Sequence, residues 1–163
     1  MSGKIVLQLI AVGLMLLGCA QPKYENSPSS GLSTDQQKQG QGLGIKFPQS
    51  GIQMAWRWEK EPVGPEEGVL VVRTYRLSPV DNFPEPVDVS ADLTLKLWMP
   101  DMGHGSAPTV VERMRDANGV LVTGAYRVKS IYFIMPGYWE MIFEIQEGGV
   151  VRDSAKVSLV RAS

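Results

Sequence analysis

The sequence predicts an all-β protein: an immunoglobulin-like antiparallel β-sandwich of about seven strands, preceded by a signal peptide and a disordered tether. Three observations predict the sandwich. Apolar and polar residues alternate with period two through most of the chain beyond residue 51. Gly, Pro, Asn and Asp gather between the alternating runs. No stretch carries a convincing helical pattern, and there are no internal repeats or heptads.

The strands follow in order. In "IQMAWRWEK", Ile52, Met54, Trp56 and Trp58 share one face, with Gln53, Arg57 and Glu59 on the other. "GVLVVRTYRL" gives a second strand, Val69 to Leu77. "VDVSADLTLKLWM" alternates cleanly from Val87 to Met99 and is the third. "TVVERMR", beginning at Thr109, is the fourth. "DANG", Asp116 to Gly119, carries the Asn-Gly hairpin signal. Val120 to Val122 then reads as a short return arm, because Gly124 interrupts it. "AYRVKSIYFIM", Ala125 to Met135, is the fifth strand. "MPGYWEMIFEI" gives a Pro-Gly corner, then Trp139, Met141, Phe143 and Ile145 inward with Glu140 and Glu144 outward. "EGG" turns the chain and "SAKVSLV" closes it. "PGYW", Pro136 to Trp139, falls where such sandwiches place an aromatic corner. A closed small barrel is the alternative architecture.

Consecutive strands of this order run antiparallel, so the ends of the third and fifth lie at one pole. The Met99–His104 loop is therefore expected beside the Met135-Pro136-Gly137 corner.

The first residues read as an export signal. Lys4 supplies a positive start, and Ile5 to Leu17 is an apolar run too short to span a bilayer comfortably. It ends in "LLGC", Leu16 to Cys19, which resembles the lipobox of bacterial lipoproteins. That resemblance implies an acylated Cys19 as the mature N-terminus. It also accounts for a lone cysteine in an exported chain. Residues 1–18 are the expected lipoprotein signal peptide, 19–51 the lipidated Cys and flexible linker, and 52–163 the sandwich domain. The linker is rich in Gln, Gly, Ser and Pro and offers no core, so it is expected to be dispensable for folding. Its reach is on the order of 30 Å. Ala20 after the cysteine resembles lipoproteins sorted to the outer membrane. The expected location is the cell envelope, lipid-anchored and facing the periplasm.

Charge is nearly balanced, with 16 Lys and Arg against 17 Asp and Glu and no basic block, so no nucleic-acid partner is expected. A single histidine and no second cysteine leave no redundancy for a nucleophilic triad, and the chain reads as a binding protein rather than an enzyme. Glu66-Glu67 reads as solvated charge. Trp56 and Trp58 read as core, with a ligand-binding aromatic platform as the alternative.

The chemistry concentrates in "WMPDMGHGSAP", Trp98 to Pro108. Two thioethers, Met99 and Met102, precede the only imidazole, His104, in a segment of turn residues. Thioether sulfur is soft and neutral, so the set favours copper, Cu(I) ahead of Cu(II), over hard cations. Gly103 and Gly105 permit a tight turn, and Pro100 stiffens its approach. The same residues also fit a plain structural role: Met99 as core, Met102 as a plug over the sandwich end, His104 as a solvated loop residue.

"LKLWMPDMGHGSAPTVVE" and "AYRVKSIYFIMPGYWEMIFEI" together resemble the YtkA-like and FixH-like domain family over Val69 to Leu159. Its fold is similar to the CopC-like copper-binding sandwiches. The resemblance implies an envelope accessory protein near copper handling or oxidase assembly. It carries four positions over as metal donors: Met99, Met102, His104 and Met135. A metal-free module that docks a membrane or envelope complex through the loop and the "MPGYW" corner stands as the alternative.

The lipobox reading makes a direct expectation. Cys19→Ala should abolish incorporation of labelled acyl chains and leave an unprocessed or mislocalised precursor. Unchanged labelling and fractionation would remove the lipoprotein assignment.

Overall fold

Period-two patterning becomes strand pairing along most of residues 41–161, the part of the chain that the computed structural model describes. The strands are β1 (Gln41–Lys46), β2 (Gln53–Lys60), β3 (Gly68–Leu77), β4 (Pro84–Pro86), β5 (Asp92–Met99), β6 (His104–Gly105), β7 (Val110–Arg115), β8 (Leu121–Ile131), β9 (Gly137–Glu147) and β10 (Val150–Arg161). A single 3-10 turn, Pro100–Met102, links β5 to β6. Among the described residues no helix is long and apolar enough to cross a membrane.

Two antiparallel sheets result. One runs β1-β2-β3-β8-β7, with β4 also on β3; the other runs β10-β9-β5-β6. Set aside the short β1, β4 and β6, and seven strands remain. Their order, β2-β3-β8-β7 facing β10-β9-β5, is that of a constant-type immunoglobulin domain.

The expected inward faces meet between the sheets. Met54, Leu70, Val72 and Val128 come from one side, and Leu97, Trp139, Met141 and Phe143 from the other; all are buried. Burying each such side chain stabilises by roughly 1.5–3 kcal/mol before entropy is counted. Trp56 is buried and Trp58 half-buried. Both join a run of edge-to-face rings: Trp56–Trp58 at 5.9 Å, Trp58–Phe133 at 6.3 Å and Phe133–Trp139 at 5.4 Å. The two tryptophans are core, and no platform stands open on them.

Three boundaries differ from the sequence reading, each for a physical reason. The linker does not extend to residue 51. Gln41–Lys46 pairs with β2, and Phe47 is fully buried in the core. Asp153 of β10, itself buried, accepts the backbone N–H groups of Gln49 (3.0 Å), Ser50 (2.6 Å) and Ser154 (2.9 Å). A polar composition hid one aromatic anchor and a capping carboxylate from a different part of the chain. The signal peptide, Cys19 and the linker up to residue 40 lie outside the described residues.

The third strand begins at Asp92 rather than Val87. Val87 and Val89 are tied to the opposite sheet: Val87 N–H donates to Thr74 O (3.1 Å), and Val89 N–H to the Tyr126 hydroxyl (2.8 Å). The fifth strand stops at Ile131, four residues before Met135. Ser130 sits at φ 59°, a left-handed conformation rare for serine, and its N–H donates to Glu67 Oε1 at 2.7 Å. The kink shifts the register with β3, and after one more pair, Gly68 with Ile131, the ladder ends. The return arm of the Asp116–Gly119 hairpin is continuous with the fifth strand, so Val120–Val122 adds no extra crossing.

Phe47 supplies the test of the revised boundary. Phe47→Ala should lower unfolding free energy by about 3–5 kcal/mol in urea titration of the full chain. A change below about 1 kcal/mol, the scale of a surface substitution, would return residues 41–51 to the tether.

Candidate functional site

The Met-rich loop is a tight hairpin on the free edge of β5. Trp98 pairs with Gly105, and Met99 with His104. Between them Pro100 opens the 3-10 turn, as its fixed φ allows. Gly103 closes it at φ 66°, its N–H donating to Met99 O (3.0 Å) and Pro100 O (3.2 Å). A side chain at Gly103 would be strained in that conformation. Two further bonds hold the outgoing chain against β5: Ser106 N–H to Leu97 O at 3.3 Å, and Thr109 Oγ1 to Leu95 O at 2.7 Å.

Each donor then has a definite environment. Met99 ends the inward face of β5 and is buried, as the plain structural reading expected. Its methyl group lies 2.6 Å from where a Cβ on Gly137 would stand. Met102 is exposed to 59% at the tip of the turn, so it does not plug the sandwich. His104 is half-buried. Its Nδ1 lies 3.3 Å from Gly105 O. A carbonyl only accepts, so this contact is a hydrogen bond in the tautomer that carries its proton on Nδ1. Ser106 Oγ, two residues on, is buried with no hydrogen-bond partner among the described residues.

The loop lies at the expected pole. β5 pairs with β9 so that Trp98 stands opposite Glu140, and the Met99 end of β5 meets the Gly137 start of β9. Met135 precedes that start by two residues. It is half-buried against the core, and its carbonyl accepts the Trp139 indole N–H at 3.0 Å. Trp139, not Tyr138, makes the aromatic corner; the Tyr138 hydroxyl pairs with Ser158 Oγ at 2.7 Å.

Met99, Met102 and His104 are thus gathered in one hairpin. Met135 stands at the same pole but lines a different space. It shares a groove of about 930 Å³ with Val63, Phe133, Ile134, Pro136 and Val160. Neither Met99, Met102 nor His104 is in that wall. Val63, Ile134 and Val160 are exposed apolar residues. Arg161 lies over the Phe133 ring at 5.1 Å and is held by Glu61 Oε1 (2.8 Å) and the Pro62 carbonyl. The sequence signal for this groove was faint. Val63 sits in "PVGP" and Ile134 in a run already read as strand.

The outer face beside the loop is polar and paired. Lys96 lies over the Trp98 ring at 4.8 Å. Glu140, opposite Trp98, binds Lys156 at 2.6 Å and by that hydrogen bond and charge raises the Lys156 pKa. Among the described residues no three or more His, Cys, Asp or Glu side chains cluster to hold a metal. A metal at this pole would therefore rest on thioethers, the donor chemistry that suits Cu(I).

The contact between Met99 and Gly137 can be measured. Gly137 also sits at φ 132°, which disfavours any side chain. Gly137→Ala should destabilise by about 1–3 kcal/mol in urea unfolding. In a Met99→Ala background the same change should cost at least about 0.5 kcal/mol less, because the clashing methyl is gone. Strict additivity would mean that loop and corner do not touch.

Comparison with protein-family models, with curated proteins and with solved structures finds no match for this chain.

Proposed function

We propose that this chain is a YtkA-like or FixH-like envelope lipoprotein that binds and passes copper, as Cu(I), and is not an enzyme. Met99, Met102 and His104 are the donors; Met135, the fourth position that the resemblance carries over, lines the neighbouring groove and is left out of the set. The anchor is the acylated Cys19, and the location is the outer membrane, facing the periplasm. The partner is a copper-handling or oxidase-assembly protein.

One observation carries this reading: the β5–β6 hairpin sets Met99 directly across from His104 and leaves Met102 exposed at its tip. Residues directly opposite in an antiparallel pair point to the same face about 5 Å apart. The exposed Met102 sulfur and the half-buried His104 ring stand at the outer end of that hairpin. Neutral thioethers bind without releasing protons, so copper loads and leaves with little electrostatic rearrangement.

That groove favours a second reading, the metal-free docking module. Exposed Val63, Ile134 and Val160 ring a concave apolar space at the corner itself. Concave apolar surfaces with exposed rims mark interaction sites.

Anaerobic Cu(I) titration against a competing chelator separates the two. A protonated imidazole cannot ligate, so affinity should fall as the solution is acidified. His104→Ala should abolish that pH dependence. Met102→Leu should weaken binding about ten-fold or more while keeping it, given one lost donor bond of at least about 1.4 kcal/mol. Equal affinity in wild type and both variants would leave the docking reading alone.

A further inference from the structure

The outward face of the β1-β2-β3-β8-β7 sheet carries cations in paired rows. Arg57 and Arg127 flank Val71. One row on, Arg73 stands between Ala55 and Ala125. Lys46 lies opposite Gln53, whose other partner is Tyr75. The carboxylates of this face are already engaged: Glu59 holds Arg127 at 2.8 Å, and Glu112 holds Lys129 at 2.6 Å. Lys46, Arg57 and Arg73 have no carboxylate partner among the described residues.

Arg57 and Arg73 are diagonal neighbours on adjacent strands, roughly 7–8 Å apart at the backbone. Like charges so placed repel, and neither is offset by a neighbour. Arg73 is exposed beside two alanines and makes no side-chain hydrogen bond or ion pair among the described residues. Beyond it lies a pocket of about 240 Å³, walled by Arg73, Tyr75, Pro84, Pro86 and Thr123. Pro86 pairs with Tyr75 and Pro84 with Leu77, whereas Glu85 pairs with Arg76 on the opposite face. Thr74 and Gly124 complete that wall, which holds no carboxylate; Arg57 lies one row away, outside it.

We infer that Arg57, Arg73 and Tyr75 form an anion site for a phosphate-bearing group, on a sheet face separate from the methionine loop. Guanidinium offers forked donors matched to phosphate oxygens. Two of them, with a phenol, suit an anion of several oxygens better than a single carboxylate. A lipid headgroup and a soluble phosphate compound share this chemistry.

The test uses the full chain carrying Cys19→Ala, so that no acyl group contributes. Two probes are applied at about 0.15 M salt, close to physiological screening. One is inorganic phosphate, followed by calorimetry. The other is sedimentation with phosphatidylcholine vesicles, with and without phosphatidylglycerol. The Arg57→Ala/Arg73→Ala pair should weaken binding about ten-fold or more, the loss of one charge-assisted bond or more. A Lys96→Ala/Arg152→Ala pair, with the same change of charge elsewhere, should bind as the parent does. Loss with inorganic phosphate supports the site with a soluble ligand. Loss confined to the phosphatidylglycerol-dependent part supports it with a headgroup. The inference is overturned if the parent binds neither probe, if the arginine pair binds as the parent does, or if both pairs lose binding equally.

Discussion

One buried indole holds the pole on which both functional readings rest. Trp139 is fully enclosed, donates its N–H to the Met135 carbonyl, and packs edge-on against Phe133. Removing that donor would leave a carbonyl short of a partner, at a cost of about 1–3 kcal/mol. Three placements follow from the bond. The Met135-Pro136 segment is pinned although it belongs to no strand. Phe133 is oriented so that Arg161 can lie over it and wall the groove. Gly137 begins β9 close under Met99, so the hairpin is fixed to the corner through that methyl group.

The other end of the assembly depends on a carboxylate in the same way. A buried Asp is costly unless its oxygens are satisfied. Asp153 meets that condition with three backbone N–H groups, two of them from the turn after Phe47. The ring fills core space and the carboxylate fixes the turn, so residues 47–50 join the two sheets. β1 then lies beside β2 as an added strand, which moves the sheet edge outward from the apolar face of β2.

Strand identity was legible where alternation was long. Leu93, Leu95, Leu97 and Met99 are all buried as their spacing requires, and so are Trp139, Met141, Phe143 and Ile145. The shared pole of the two Met-Pro motifs followed from counting antiparallel strands, and the Trp98–Glu140 pairing agrees with it. What period two cannot register is a bond to a distant element. Val87 and Val89 alternate like a strand yet donate to the other sheet. Ser130 looks like any strand serine, but its left-handed φ, tied to Glu67, ends β8 early. Phe47 ends a short alternation, Leu43, Ile45 and Phe47, that the Gln, Gly and Ser around it concealed. In the candidate site, the soft donor set and the tight turn were readable. The burial of Met99, the exposure of Met102 and the turning of Met135 toward a separate groove depend on register and packing that only coordinates supply.

The hairpin and the groove lie on either side of one short segment, Met135 to Gly137. Whether occupancy of one is felt at the other turns on that segment's freedom to move. Contiguity alone does not couple two sites; an element with two arrangements is needed. Here the segment is fastened at its first residue by the Trp139 bond and crowded at its last by the Met99 methyl. The first of these contacts is a hydrogen bond to a fully buried ring, the second the end of a methionine side chain. The corner therefore stands between the hairpin and the groove. The metal reading rests on hairpin residues and the docking reading on groove residues, and the two sets are disjoint, so a substitution in either one bears on one reading without removing a residue of the other.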